Sequence, residues 1–123
     1  MRIILCNSIL KKELKPLKVY FDKGDIKKYV QKVQVGLGVQ LQGVGIDETK
    51  LVKIYMTSKT AAGRMIVLVY VQKKYYIPVV IRLKKDKLIG SNLGKDNKYL
   101  QILIEKNLDL IMKDLRNGDF EDL

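Results

Sequence analysis

The sequence predicts an α+β fold in which an N-terminal strand and a helical hairpin pack on a small antiparallel sheet, followed by a C-terminal helix. Apolar residues recur at helical spacing between residues 9 and 33 and again between 100 and 115, and between them lie two runs of period-two alternation with an apolar run in the middle. The 123 residues are 47% hydrophobic without a shift in composition, which suits one core and one domain covering 1–123.

Arg2–Cys6 reads as a short strand, and Asn7-Ser8 offers a helix N-cap. Leu10, Leu14, Leu17 and Phe21 then follow helical spacing, with Pro16 predicting a kink or break inside it. Asp22 to Asp25 reads as a turn in which Asp25 caps a second helix, whose stripe is Ile26, Tyr29, Val30 and Val33. Gly36, Gly38, Gly43 and Gly45 punctuate a connector that has neither dinucleotide-binding nor P-loop spacing.

Leu51–Thr57 alternates, Arg64–Gln72 is apolar throughout as in a central strand, and Tyr75–Lys84 alternates again. Short turns between them predict an antiparallel meander, and Pro78 predicts a free side on the last strand. Asp96 or Asn97 can cap a final helix running to about Arg116, with Leu100, Leu103, Ile104, Leu108, Ile111 and Leu115 as its stripe. Gly118 stops it, and residues 118–123 are expected to be a frayed acidic tail.

The formal charge of +11 is unevenly spread: residues 1–99 hold 21 basic and 7 acidic side chains, residues 100–123 only 3 and 6. Between Lys50 and Lys87 ten basic residues stand with one acid, Asp86. Such a field favours a polyanion such as nucleic acid; the plainer alternative is a lysine-rich solubilising surface. No apolar run is long enough to span a bilayer and one cysteine forms no internal disulfide, so a cytoplasmic protein is expected. Without histidine, Ser-His and Cys-His catalysis are excluded, and neither a metal site nor a small-molecule cofactor is expected.

If Val52, Ile54 and Met56 pack on the helices together with Ile77, Val79, Ile81 and Leu83, the pleat turns Lys53, Tyr55, Arg82 and Lys84 to the opposite face. Arg64, entering the middle strand, can join them, and Lys59, Lys73, Lys74, Lys85 and Lys87 would ring the same surface or its edge. The turn lysines are most simply solvated, whereas Arg82 interrupts an otherwise apolar strand. Arginines beside a tyrosine suit a phosphate backbone and a stacked base. RNA carries its own nucleophile, the 2′-OH, so a lysine base and an arginine worth roughly 3–4 kcal/mol to the developing charge could suffice for cleavage.

The order of strand, helical hairpin, linker, meander and helix resembles the RelE/ParE toxin superfamily over residues 2–90. The most specific stretch is Gly43–Gly90, with Leu-Gln-Gly ahead of Lys53-Ile-Tyr, Gly63-Arg64 opening the middle strand, and Arg82-Leu-Lys-Lys ending the last. The resemblance implies a ribosome-dependent mRNA endonuclease that inhibits translation, needs no metal, and is silenced by a cognate antitoxin. Carried over by position, Lys53, Arg64, Arg82 and Lys84 would be catalytic, and Tyr55, Lys59, Lys85 and Lys87 would bind RNA. Tyr55 stands where RelE has another lysine, and Tyr99 is the candidate for the family's C-terminal tyrosine. The longer final helix departs from the family pattern. Two alternatives stay open: a ParE-like gyrase inhibitor without catalytic activity, and a non-enzymatic basic RNA-binding or ribosome-associated module.

Overall fold

The structure, a computed structural model, describes residues 1–41, 45–86 and 97–123. The elements among them are β1 (Arg2–Cys6), α1 (Asn7–Ile9), α2 (Lys23–Gln34), β2 (Val39–Leu41), β3 (Thr49–Thr57), β4 (Ala62–Tyr70), β5 (Tyr75–Leu83), α3 (Lys98–Asn117) and β6 (Phe120–Asp122). After α1 the chain winds on as a π turn, Leu10–Leu14, and a 3-10 turn, Lys15–Leu17. The fold is α+β around a six-stranded mixed sheet of order β2-β3-β4-β5-β1-β6, in which β1 runs parallel to β5 and the other pairs are antiparallel.

The N-terminal half departs from expectation at both helix starts. Neither Asn7 nor Ser8 caps α1; Cys6 precedes it, and Asp114 of α3 accepts from the Ser8 N–H at 2.8 Å instead. Pro16 sits in the 3-10 turn, at the predicted break. For α2 the cap is Asp22 rather than Asp25: Asp22 accepts from the Asp25 N–H and Asp25 from the Asp22 N–H, both at 2.9 Å. This reciprocal box lets the helix start at Lys23, inside the stretch expected to be a turn.

β3 and β4 pair without interruption from Thr49↔Tyr70 to Thr57↔Ala62. Val52, Ile54 and Met56 lie opposite Val67, Met65 and Gly63 on the face toward α2. The Tyr29 hydroxyl of α2 donates to the Thr57 carbonyl and accepts from the Thr57 N–H, each at 3.0 Å. Gly63 is needed by close approach: a Cβ there would stand 3.0 Å from the Arg82 carbonyl and 3.1 Å from the Phe21 ring.

The single alternation expected along β5 fails at a bulge. Ile66 pairs with Val80 but Val67 pairs with Pro78, leaving Val79 as the extra residue. Ile77, opposite Leu68, therefore shares the face of Arg64, while Ile81, opposite Met65, faces α2. The free side predicted from Pro78 is present, although β5 is not an edge strand. β1 pairs with it only at Arg2↔Tyr75 and Ile3↔Tyr76. Farther along, side chains take over: Glu13 accepts from the Ile81 N–H at 2.9 Å, and the Asn107 amide donates to the Val79 carbonyl at 2.7 Å.

Asn97 caps α3 by accepting from the Leu100 N–H, and Gly118, at φ 68°, ends it in the left-handed conformation. Leu100, Ile104, Leu108 and Ile111 are buried as predicted, and the Tyr70 hydroxyl, on the face away from α2, lies 3.8 Å from Met112 Sδ. The sheet thus lies between α2 and α3. The acidic tail expected to fray instead forms β6 beside β1, with the Leu123 N–H donating to the Ile3 carbonyl at 2.9 Å. Lys23–Glu121 (2.6 Å) and Arg2–Asp122 (2.8 Å) ion pairs hold it from either side. β2 is a strand inside the glycine-rich connector, too short for its alternation to be readable. No helix among the described residues is long and apolar enough to cross a membrane.

Candidate nucleic-acid interface

The pairing registers put Tyr55, Arg64 and Arg82 directly opposite one another on β3, β4 and β5. They form one row across the sheet, on the face away from α2, and Lys53 stands two residues from Tyr55 on the same face. The row lies at the end of the sheet where the β3–β4 hairpin turns. Toward the other end, Leu51, Ile66, Leu68 and Val80 continue this face and are buried. The face is therefore split into a covered apolar half and a more open cationic half, in which Lys53, Arg64 and Arg82 are partly exposed.

Within the open half, Tyr55 is 53% exposed. The Arg64 guanidinium lies 4.2 Å from the Tyr55 ring centroid and the Lys53 ammonium 5.4 Å from it. The ring thus holds two cations in place by attraction to its π face. Arg64 donates to the Gly63 carbonyl at 3.2 Å, and among the described residues no carboxylate pairs with Arg64, Lys53 or Lys84.

Arg82 is placed differently. Its Nε and terminal nitrogen donate to the two Glu13 oxygens at 3.2 and 2.9 Å, and Asp86 lies 3.6 Å away on the other side. Glu13 is 1% exposed. Burial works against the Arg82 charge, but the hydrogen bonds and charge of Glu13, with Asp86 behind them, outweigh it and raise the guanidinium pKa further. Arg82 is thereby committed to a structural ion pair while remaining in the row.

Lys59 is exposed in the Ser58–Ala61 turn, where the Ser58 hydroxyl accepts from the Thr60 and Ala61 N–H groups. Lys84 is exposed just beyond β5, and Lys85 lies 5.6 Å from the Tyr20 ring. Two clefts flank this end of β5 and share Leu83 and Lys85. One, of about 460 Å³, is bordered by Lys12, Glu13 and Arg82; the other, of about 410 Å³, by Thr60, Ala62 and Lys84. Lys73 and Lys74 do not ring the same end. They occupy the β4–β5 turn, roughly 20 Å along β4 from Arg64 at about 3.3 Å per residue. Tyr99 is exposed in the first turn of α3. Lys87, with Gly43 and Asp96, lies outside the described residues.

Glu13 is the residue that sequence reasoning missed, although a signal was present. Leu10, Glu13, Leu14 and Leu17 follow the i, i+3, i+4, i+7 pattern, so a carboxylate stands on an apolar stripe. A charge in that position calls for a buried partner. Among the described residues there is no group of three or more His, Cys, Asp and Glu placed to hold a metal. Compared with family models, curated proteins and solved structures, the chain matches none.

Proposed function

We propose that this chain is a RelE-like toxin, an endoribonuclease that binds RNA across the Lys53–Tyr55–Arg64 end of its sheet. In this reading it acts in the cytoplasm, cuts translated mRNA at the ribosome, and is held inactive by a cognate antitoxin protein. The observation that carries the reading is the row of Tyr55, Arg64 and Arg82 in pairing register, with Tyr55 exposed, both arginines partly exposed, and Arg64 unpaired by any carboxylate among the described residues.

The chemistry asked of these residues is modest. The 2′-OH attacks the adjacent phosphorus, the bond to the 5′-oxygen breaks, and a 2′,3′-cyclic phosphate remains. Lys53 takes the 2′-OH proton and Lys84 returns one to the departing 5′-oxygen. Arg64, aligned by the Tyr55 ring, meets the charge that develops on the non-bridging oxygens. Arg82, held by Glu13, fixes the end of β5 and adds positive potential. Lys59, Lys85 and Lys87 contribute phosphate contacts beyond the scissile bond.

One observation favours a second reading, a basic RNA-binding module without catalysis. Arg82 is already engaged by Glu13 and Asp86, which leaves one uncommitted arginine in the row. Purified chain added to translating ribosomes separates the two. The toxin reading expects cut transcripts that Arg64→Ala abolishes while the protein stays folded. Salt-sensitive RNA binding with intact transcripts would support the binding module instead. Intact transcripts together with inhibited gyrase would support a ParE-like toxin.

A further inference from the structure

A second aromatic and cationic cluster lies at the opposite end of the β4–β5 hairpin. Tyr70 pairs with Tyr75, and Tyr75 in turn pairs with Arg2 of β1, so three side chains again stand in register across neighbouring strands. Lys73 in the connecting turn, Arg116 in the last turn of α3 and Phe120 of β6 join Arg2, Tyr70 and Tyr75 in lining a cleft of about 500 Å³. Among the described residues no carboxylate lines it.

The cations divide into two kinds. Arg2 is a fixed wall: its fork is spent on Asp122 at 2.8 and 3.0 Å, and it lies 5.2 and 5.8 Å from the Tyr75 and Phe120 rings. Lys73 lies 5.9 Å from the Tyr70 ring, and neither it nor Arg116 has a carboxylate partner among the described residues. Two uncommitted cations thus flank a concavity walled by three aromatic rings. A ligand that satisfies both features has a flat π-face and a compact anion attached to it. The volume is within the range of about 300–1,000 Å³ usual for small-ligand sites.

We propose that this cleft binds a nucleoside monophosphate unit, its base against the Tyr70 and Tyr75 rings and its phosphate between Lys73 and Arg116. The unit is either a free mononucleotide or the phosphorylated terminal nucleotide of an RNA strand. The site is separate from the Tyr55–Arg64 row and stands whether or not that row cleaves RNA.

Equilibrium titration of the full chain with AMP, and with a 5′-phosphorylated trinucleotide RNA in the Arg64→Ala background, tests it. Arg116→Ala and Lys73→Ala, both exposed substitutions, are each expected to weaken binding by roughly tenfold, the cost of one charge-assisted contact. Binding of AMP with this dependence identifies the free nucleotide as a source. Binding confined to the phosphorylated RNA, with the same dependence, identifies the strand end. Three results would overturn the proposal: no saturable binding of either probe, affinities indifferent to Arg116→Ala and Lys73→Ala, or adenosine binding as tightly as AMP.

Discussion

The Arg82 guanidinium closes on a buried carboxylate, Glu13, through two hydrogen bonds of 3.2 and 2.9 Å, while the same carboxylate accepts from the Ile81 N–H. One side chain from the π turn thus completes the open edge of β5 and orients the last member of the cationic row. Replacing one partner strands the other, so Glu13→Ala should cost about 3–5 kcal/mol of stability, as breaking buried pairs does. Denaturant midpoints check this, and a loss under about 1 kcal/mol would mean that the pair is open to water. Arg82→Ala should likewise destabilise the protein, which makes it a poor probe of chemistry.

Arg64→Ala is the cleaner probe. Arg64 makes one local hydrogen bond and one ring contact, so stability should stay within about 0.5 kcal/mol of the parent. RNA affinity should fall, and the slope of log affinity against log salt should flatten by about one contact. Tyr55→Leu should reduce affinity through a loosened Arg64, while Tyr55→Phe, which keeps the π face, should not. An unchanged salt slope in Arg64→Ala would remove this residue from the interface.

At Gly38 the backbone has φ +100°, and a Cβ would meet Val52 Cγ1 at 2.7 Å and the Lys53 carbonyl at 2.8 Å. Gly38→Ala should therefore destabilise by about 1–3 kcal/mol and disturb Lys53. Gly36, at φ +94°, has open space around it, so Gly36→Ala carries the backbone strain alone and should cost less. Equal losses at the two positions would contradict the close approach of β2 to β3.

Burial pushes the Cys6 thiol up to about 12 from an ordinary 9.0, helped by the charges of Asp114 and Asp119. The folded chain keeps this proton where the unfolded chain gives it up. The thiol's contribution is therefore complete below pH 9.0 and declines as pH rises toward 12. Stability curves of the parent and Cys6→Ala should converge across that window, and a thiol reagent at neutral pH should label the protein only on unfolding. Fast labelling of the native protein would show that the thiol is reachable.

The meander and the long helix were readable because of their patterns: a period of two along β3, an apolar run for β4, short turns between the strands, and a period of 3.6 for Leu100 to Leu115. Lys53, Tyr55 and Arg82 were readable from the pleat, since they lie on the phase opposite Val52, Ile54, Met56 and Ile81, whereas the facing of Arg64 was ambiguous because β4 is apolar on both faces and only its pairing with Tyr55 and Arg82 fixes it. What escaped depends on contacts between distant segments. No local signal tells that Asp119 to Leu123 will pair with β1, or that Asp114 will cap α1 from α3. The bulge at Val79 escaped because Val, Ile and Pro suit either face, so a phase change leaves no trace in the composition. Glu13, Asn107 and Asp114 share one pattern: each is a buried polar residue interrupting an apolar stripe, and each satisfies a group from a remote part of the chain.

The strand at the start of the chain finds its two neighbours about 73 and 118 residues away, at Tyr75 and Asp122. It can therefore be held on both sides only once residues 120–122 have been made. The three-stranded meander, built from adjacent segments, can form well before that. Tyr55 and Arg64 are assembled by a local hairpin, whereas Arg82 is steadied by a carboxylate 69 residues away in the N-terminal segment. The cations of the hairpin can thus be assembled before β1 is seated between β5 and β6.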